Sequence, residues 1–318
     1  MATADQIKSL IKAHTDGDNE KFKTVVLQIA AYEAKHNHEI IARELKKLID
    51  KKTLSKNIIH VNQQNPMLVM SMPTVHINDL IISDEATERV KRILQEYTNR
   101  HKLEKYGMCN RRKILIEGKP GTGKTFTAAV IASELNLPLY TIQMDKLVTK
   151  FMGETSTKLR QIFDSIETTT GIYFFDEFDA IGADRSLDNE VGEMRRILNS
   201  FLQFIEQDYS DSIIIAATNN SKLLDQALFR RFDDVLHYSM PSNNEIKRLY
   251  EYKLCLYQKD FMVSKELIEK SYLLSHAEII RVCDDAIKAS ILSDKDITIQ
   301  DVLYKVDERM SAYIDKEA

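Results

Sequence analysis

Short apolar runs alternate with helical segments across the middle of the chain, from residue 76 to about residue 240. Apolar strands that alternate with helices are typical of a parallel sheet covered on both faces. We therefore predict an α/β domain in this region. Its strands are expected at Ile114–Glu117, Leu139–Ile142, Ile172–Phe175, Ile213–Ala216 and Val235–Tyr238. The longest intervening helix is expected to bury one face, formed by Val191, Met194, Leu198, Phe201, Leu202 and Ile205.

Residues 1–52 predict a small N-terminal helical module. Thr3 and Gln6 have the spacing of a capping box, which marks a helix start. Three short helices form only a marginal core. Two interpretations stay open: a plain bundle that packs on the rest of the chain, or an adaptor that docks a partner or target. The clearest apolar stripe of the module is Phe22, Val25, Val26, Ile29 and Ala30.

The remaining segments differ in periodicity from the α/β domain. Residues 53–75 show no regular spacing of apolar positions, which predicts a linker. Within this linker, the apolar run Met67–Met70 is expected to lie on a surface rather than to be free in solvent. Residues 241–318 carry only helical signals, with capping boxes that begin at Ser242 and Ser275. We predict an all-helical C-terminal domain there.

A phosphate-binding loop follows the first predicted strand of the α/β domain. Residues 118–125 read G-K-P-G-T-G-K-T and match the pattern G-x-x-x-x-G-K-[ST] at every fixed position. Its glycines let successive main-chain N–H groups point at one anion, and the helix that follows directs its positive dipole end there. Lys124 can reach the β- and γ-phosphates, and the Thr125 hydroxyl can ligate Mg²⁺. The predicted nucleotide contacts are Gly118, Lys119, Pro120, Gly121, Thr122, Gly123, Lys124, Thr125 and Phe126.

Polar side chains end two further predicted strands. Asp176 and Glu177 follow an apolar run, at the sheet edge where open α/β folds bind ligands. Asp176 would hold Mg²⁺ mostly through water, and Glu177 would orient the attacking water. Asn219 follows another apolar run and either contacts that water or the γ-phosphate, or simply forms a turn.

Composition narrows the class of protein. The 318 residues suggest roughly two domains, and 43% hydrophobic residues suffice for a real core. A net charge of −4 gives no general attraction to nucleic acid or to an anionic membrane, so neither partner is expected. Cys109, Cys255 and Cys283 are scattered, which fits a reducing cytosol. No export signal or membrane-spanning run is expected, and we predict a cytoplasmic protein.

These motifs resemble those of AAA ATPases, in particular the group that remodels or unfolds proteins, over about residues 76–290. The resemblance implies a P-loop NTPase sheet with helices on both faces and a helical C-terminal lid. Residues 118–125 would be the Walker A loop, Asp176 and Glu177 the Walker B pair, and Asn219 the sensor 1 residue. The segment Ser275–Glu278 resembles the lid motif S-G-A-D, which would place Ala277 near the nucleotide.

The resemblance also implies residues that work between subunits. Arg230 and Arg231 fall where the family has arginine fingers, which serve the ATP of the neighbouring subunit in a ring, usually of six. The alternative is a pair of surface cations on a turn. Phe151, Met152 and Gly153 resemble the pore loop that grips an extended polypeptide. The alternative for them is a helix end that buries Phe151.

The sequence departs from the family pattern in three respects. Lys119 stands where many members have a second proline, Arg230 and Arg231 are adjacent where many members separate them, and His276 replaces the lid glycine. These departures affect lid placement and subfamily, and they remove no catalytic group. The short chain is most similar to stand-alone bacterial AAA proteins, some of which are encoded beside a subtilisin-like protease.

We therefore predict an ATP- and Mg²⁺-dependent motor that remodels proteins as a ring, threading the substrate chain past Phe151. The catalytic set would be Lys124, Glu177, Asn219, Arg230 and Arg231. Two alternatives stay open. One is a nucleotide-dependent assembly switch that holds or releases a partner, such as a protease. The other is a nucleic-acid motor or loader, which the net charge disfavours.

Overall fold

The computed structural model describes residues 8, 24–30, 32, 65–147, 154–178, 188–220 and 229–314, with only the backbone for 188–196 and 312–314. The chain divides into two units, Met1–Asn57 and Ile58–Ala318. In the first unit residues 24–30 are helical, and Val25, Val26, Ile29 and Ala30 are buried. Thr3, Gln6 and Phe22 lie outside the described residues, and the predicted boundaries at residues 52, 75 and 240 stay predictions.

The second unit contains a six-stranded sheet with the strand order β1-β3-β4-β5-β2-β6. All neighbouring strands are parallel except β1, which pairs antiparallel with β3 at the sheet edge. The predicted parallel sheet is confirmed, and each of the five predicted runs forms a strand. The strands are β1 Leu68–Ser71, β2 Lys113–Gly118, β3 Leu139–Ile142, β4 Ile172–Phe175, β5 Ile213–Thr218 and β6 Asp234–Tyr238.

The strand β1 lies in the segment that the sequence predicts as a linker. Its four residues are only half-buried, because an edge strand has a neighbour on one side alone. Most of the apolar run Met67–Met70 is therefore part of the sheet itself, and Met67, just before β1, reaches the core with 3% of its surface exposed.

Helices cover both faces of the sheet. The helices, in chain order, are α1 Asp84–Thr98, α2 Arg100–Glu104, α3 Lys124–Glu134, α4 Met144–Leu147, α5 Glu154–Thr168, α6 Asp188–Gln207, α7 Asn243–Tyr257, α8 Lys265–Lys270, α9 His276–Ser293 and α10 Ile299–Ile314. Helices α1 and α3 pack on one face of the sheet, and α5 and α6 pack on the other. None of the described helices has the length and apolar character that a bilayer span requires.

Strand β4 shows why its sequence is apolar throughout. Ile172 and Phe174 belong to the core under α1 and α3, whereas Tyr173 and Phe175 belong to the core under α5 and α6. Successive side chains of a strand point to opposite faces, so a sheet covered on both faces buries every one of them. All four residues of β4 are fully buried.

The helices α7–α10 form a third core, which we call the lid. The predicted capping boxes begin α7 and α9: Ser242 N–H donates to Glu245 at 2.6 Å, and Ser275 N–H donates to Glu278 at 2.7 Å. The lid core also includes Ile81, whose neighbours Leu80 and Ile82 pack on the sheet instead. Residues 80–82 therefore join the two cores, and we call them the joint.

Candidate active site

The carboxyl ends of three neighbouring strands, β4, β5 and β2, bring the predicted catalytic residues together. Lys124 Nζ donates to the main-chain oxygens of Gly118 at 2.7 Å and Lys119 at 3.0 Å. The same ammonium donates to Asn219 Oδ1 at 2.7 Å, across 95 residues of chain. Lys124 is therefore held in place by oxygens at the start of its own loop and at the end of β5.

A second contact joins the loop to the end of β4. The Thr125 hydroxyl donates to Asp176 Oδ2 at 2.9 Å, and the Glu177 main-chain N–H donates to Asp176 Oδ1 at 2.9 Å. A hydroxyl and a carboxylate are hard oxygen ligands of the kind that Mg²⁺ prefers, and Mg²⁺ keeps several waters besides. The pair of residues predicted as the metal site thus has the chemistry and the proximity that such a site needs.

A sharp turn after β4 sends Glu177 into solvent. Its φ is +51°, a left-handed conformation that is uncommon outside glycine. The next residue, Phe178, is fully buried under α6, while Glu177 is exposed and lines a cleft. The buried Phe178 holds the turn, and the strained conformation is of the kind that clusters at functional sites.

The cleft has a volume of about 670 Å³, which is within the range of ligand sites in proteins. One end is polar and is formed by Lys124, Thr125, Asp176, Glu177 and Asn219. The other end lies between the joint and the lid and is mostly apolar. Its lining residues are Val75, Asp79, the joint, Leu249, Tyr252, Lys253, His276, Ala277, Ile280 and Arg281.

The loop residues fill two roles in this cleft. Residues 120–126 line it directly, and so does Ala277, which the lid motif predicts. Gly118 and Lys119 contribute the carbonyls that hold Lys124. Gly118 also packs so closely on β6 that a Cβ there would lie 2.4 Å from the Tyr238 main-chain oxygen.

The lid docks directly on the loop. Ala277 N–H donates to the Gly121 main-chain oxygen at 2.9 Å. A Cβ on Gly121 would lie 2.5 Å from Ser275 Oγ and 3.0 Å from Ser275 Cβ, and the φ of Gly121 is +75°. Position 121 therefore requires glycine for two reasons: its backbone is in the left-handed region, and Ser275 of the lid leaves no room for a Cβ.

A Gly121→Ala substitution is expected to destabilise the protein more than Gly123→Ala does. Gly123 has a φ of +101°, and a Cβ at this position would meet nothing within 4 Å, so the substitution carries the backbone strain alone, about 1–2 kcal/mol. Gly121→Ala adds the overlap with Ser275, about 1–3 kcal/mol more. Denaturant unfolding of the two variants without nucleotide measures the difference. Equal losses of unfolding free energy would show that the lid does not rest on the loop.

Two lid residues that the motifs do not assign to the site also line the cleft. Tyr252 Oη donates to Asp79 Oδ1 at 2.9 Å, which links α7 to the turn before the joint across 173 residues of chain. His276 is 8% exposed, and neither ring nitrogen has a hydrogen-bond partner among the described residues. Burial lowers the pKa of His276 and so favours the neutral ring, although the charge of Glu245 acts in the opposite direction.

The two arginines predicted as fingers are not among the residues that line the cleft. Arg230 and Arg231 are both exposed, and neither lines the cleft. Arg231 forms an ion pair with Glu206 on α6, whereas Arg230 has no ion pair within the described part of the chain. Phe151, Met152 and Gly153 lie outside the described residues, so the predicted pore loop stays a prediction.

Comparison with known proteins agrees with this geometry. Residues 114–240 match the family described as "ATPase family associated with various cellular activities (AAA)". An uncharacterised AAA family ATPase of Sinorhizobium fredii is 33% identical over 304 residues, which cover 92% of this chain and 90% of that protein.

Two further relatives have names linked to proteolysis. A proteasome-activating nucleotidase of Methanopyrus kandleri is 30% identical over 265 residues, or 79% of this chain and 60% of that protein. An ATP-dependent zinc metalloprotease FtsH of Parabacteroides distasonis is 33% identical over 211 residues, or 64% of this chain and 31% of that protein. The chain therefore spans less than two thirds of the length of these two relatives.

The chain belongs to the AAA family of ATPases. The family match covers residues 114–240, which include the phosphate-binding loop and strands β3 to β6, and the Sinorhizobium relative aligns with 92% of this chain. The protein is accordingly a nucleotide-binding enzyme that hydrolyses ATP to ADP and phosphate.

Proposed function

We propose that this ATPase remodels or unfolds protein substrates as a ring, with each active site completed by an arginine of the adjacent subunit. The observation that carries the proposal is the division of the catalytic groups in space. Lys124, Asn219, Thr125 and Asp176 converge on one cleft, whereas Arg230 is exposed elsewhere on the same subunit. The names of the two proteolysis-linked relatives support a protein substrate.

The polar end of the cleft binds the triphosphate in this proposal. Lys124 and the main-chain N–H groups of the loop contact the β- and γ-phosphates, and the Thr125 hydroxyl with the Asp176 carboxylate would hold Mg²⁺. The metal ion supplies positive charge that neutralises the phosphate oxygens. A phosphate oxygen would compete with Asn219 Oδ1 for the Lys124 ammonium, which frees the Asn219 amide to sense the γ-phosphate.

Glu177 acts as the residue that positions and polarises the attacking water. Its left-handed turn after β4 holds the carboxylate at the polar end of the cleft, next to the Asp176 that would bind the metal. Phosphoryl transfer leaves the protein little covalent work, so catalysis depends on such positioning and on charge neutralisation.

Arg230 and Arg231 have different surroundings, and we propose different roles for them. The ion pair with Glu206 keeps Arg231 on its own subunit, where it anchors the turn. Arg230 is the arginine that would reach the γ-phosphate of a neighbour. Such sharing requires a head-to-tail interface, and interfaces of this kind can close into rings. We propose six subunits, as the family resemblance implies.

Substrate handling is assigned to Phe151, Met152 and Gly153. In this proposal Phe151 and Met152 offer apolar contact that tolerates many substrate sequences, and Gly153 gives the segment conformational freedom. The substrate or partner is a protein, and a subtilisin-like protease is the proposed partner class. The assembly switch remains the competing function, and it requires no such loop.

A Phe151→Ala variant tests the motor function directly. It is expected to hydrolyse ATP within about twofold of the wild-type rate, because Phe151 lies outside the catalytic set, but to lose unfolding of a tagged fluorescent substrate protein. Unfolding is read from the loss of fluorescence in the presence of ATP. Leu256→Ala, which removes an exposed lid side chain, is the matched control and should retain both activities.

Three results would contradict the motor function. Unfolding by Phe151→Ala at the wild-type rate would remove the pore loop from the mechanism. ATP turnover that rises with DNA and ignores proteins would favour the nucleic-acid motor instead. Wild-type protein that binds a partner differently in ATP and ADP, without unfolding any substrate, would favour the assembly switch.

A further inference from the structure

A side-chain hydrogen bond joins helix α7 of the lid to the segment that precedes the joint. Tyr252 Oη donates to Asp79 Oδ1 at 2.9 Å, and both residues line the cleft. Burial and the Asp79 carboxylate both raise the pKa of Tyr252, so the phenol keeps its proton at neutral pH and remains the donor. The bond therefore connects the lid to a part of the cleft that lies outside the lid, and we call it the lid bond.

The Asp79 end of the lid bond is itself held in place. Asp79 is the last residue of a short 3₁₀ helix, Ile77–Asp79, and its other carboxylate oxygen accepts His76 N–H at 2.8 Å. The Ile77 N–H donates to Glu134 Oε1 at 2.8 Å. Glu134 is the last residue of α3, the helix that follows the phosphate-binding loop. The lid bond is thus attached, through this segment, to the helix that begins at the loop.

The lid has a second attachment, on the loop itself. Ala277 N–H of α9 donates to the Gly121 main-chain oxygen at 2.9 Å. A lid held at one point can turn about it, whereas two attachments on different helices fix its orientation. An ion pair between Arg248 of α7 and Asp84 adds little to this, because its atoms are 3.9 Å apart and the Asp84 side chain is 96% exposed.

We propose that the lid bond sets the rate at which nucleotide leaves the cleft, with Tyr252 and Asp79 as positioning residues. Contacts from the lid help to hold a nucleotide at the loop, and these contacts are lost when the lid turns away. Breaking the lid bond increases the fraction of time that the lid is turned away, and the rate of release rises with that fraction. The inference rests on the proposed place of the nucleotide in this cleft, and not on ring formation or remodelling.

Tyr252→Phe tests the lid bond directly, because it removes the hydroxyl and keeps the ring that lines the cleft. The variant is expected to release ADP about three- to tenfold faster than wild type, which is the effect of one lost hydrogen bond. Stopped-flow fluorescence measures the rate as excess ADP displaces a fluorescent ADP derivative. Release at the wild-type rate would overturn the inference.

A double-mutant cycle shows whether the Tyr252 hydroxyl acts through Asp79. Asp79→Ala removes the acceptor and should accelerate release at least as much as Tyr252→Phe does. Adding Tyr252→Phe to Asp79→Ala should then have no further effect, because the lid bond is already absent. If Tyr252→Phe accelerated release by the same factor in both backgrounds, the hydroxyl would act on the nucleotide itself, and the inference would be overturned.

Tyr257→Phe is the matched control, since it removes a phenol hydroxyl from the same helix. That hydroxyl is 3.2 Å from Ser290 Oγ, a contact inside the lid, and Tyr257 does not line the cleft. The control should release ADP at the wild-type rate. Equal acceleration by both variants would attribute the effect to general loosening of the lid and overturn the inference. This comparison is decisive by itself if Asp79→Ala fails to fold.

Failure of the proposed nucleotide site would give a different result. Lys124→Ala would then bind ADP as tightly as wild type in calorimetry. If the site is correct and only the lid bond is wrong, Lys124→Ala loses affinity for ADP while Tyr252→Phe releases ADP at the wild-type rate.

Discussion

A Glu177→Gln variant is expected to bind ATP with near wild-type affinity and to hydrolyse it about 10²–10⁴ times more slowly. Glutamine keeps the size of the side chain and its place in the turn after β4, but it cannot accept a proton from water. The Asp176–Thr125 contact and the Lys124 contacts involve other atoms, so the phosphate and metal groups should be unaffected. Steady-state phosphate release measures the hydrolysis rate, and calorimetry measures the affinity for ATP.

The control for this variant is Glu167→Gln on α5. Glu167 is exposed and does not line the cleft, so its substitution removes the same charge without touching the site. Hydrolysis by Glu177→Gln at a rate near that of the control would refute the role of Glu177. Loss of ATP binding would instead mean that Glu177 supports the cleft itself. A variant that binds and does not hydrolyse can also retain bound proteins in ATP, which allows a protease partner to be identified.

Arg230→Ala is expected to lower ATP turnover about 10³-fold or more while leaving ATP binding in place. The guanidinium stabilises charge in the transition state, and in our proposal it does so in the neighbouring subunit. Arg231→Ala should have a smaller effect, because the partner of Arg231 is Glu206 of its own chain. Glu206→Gln should then resemble Arg231→Ala, since both remove the same ion pair.

Mixing experiments test whether the arginine acts between subunits. Lys124→Ala and Arg230→Ala should each be inactive alone, but a mixture should regain turnover where an intact loop meets an intact arginine. The double variant Lys124→Ala/Arg230→Ala, mixed with either single variant, creates no such pair and is the control. A mixture no more active than this control would contradict a shared active site. If Arg231→Ala lost more ATP turnover than Arg230→Ala, Arg231 and not Arg230 would be the arginine that acts on the neighbouring subunit.

Much of the sheet is predictable because its signals are local. The bounds of β3 and β4 agree with the predicted runs at both ends, since both runs are apolar apart from Thr141, and Pro138 and Gly171 precede them. The capping boxes at Ser242 and Ser275 depend on neighbours three residues away, and both are confirmed. Strand β1 escapes prediction because a half-buried edge segment has no distinctive pattern, and its partner β3 lies about 70 positions further along the chain.

The candidate site also has features that the sequence predicts and features that it does not. The loop, Asp176 and Asn219 are predicted at one sheet edge because parallel strands share the edge at which they end. The contacts Lys124–Asn219 and Thr125–Asp176 agree with that expectation. The pairing of Arg231 with Glu206 is not predictable, because an ion pair between exposed side chains leaves no pattern in either segment.

Local sequence is sufficient for the phosphate-binding loop, for the five parallel strands β2–β6 and for the resemblance to the family, but not for β1. Those features follow from residue spacing, backbone conformation and burial on one or both faces, all of which act over a few neighbouring residues. The way in which the lid meets the loop and closes the far end of the cleft depends on tertiary packing. The Gly121–Ala277 contact, the Tyr252–Asp79 bond and the buried ring of His276 require two separate cores to be placed against each other, and that placement arises from packing between residues distant in sequence.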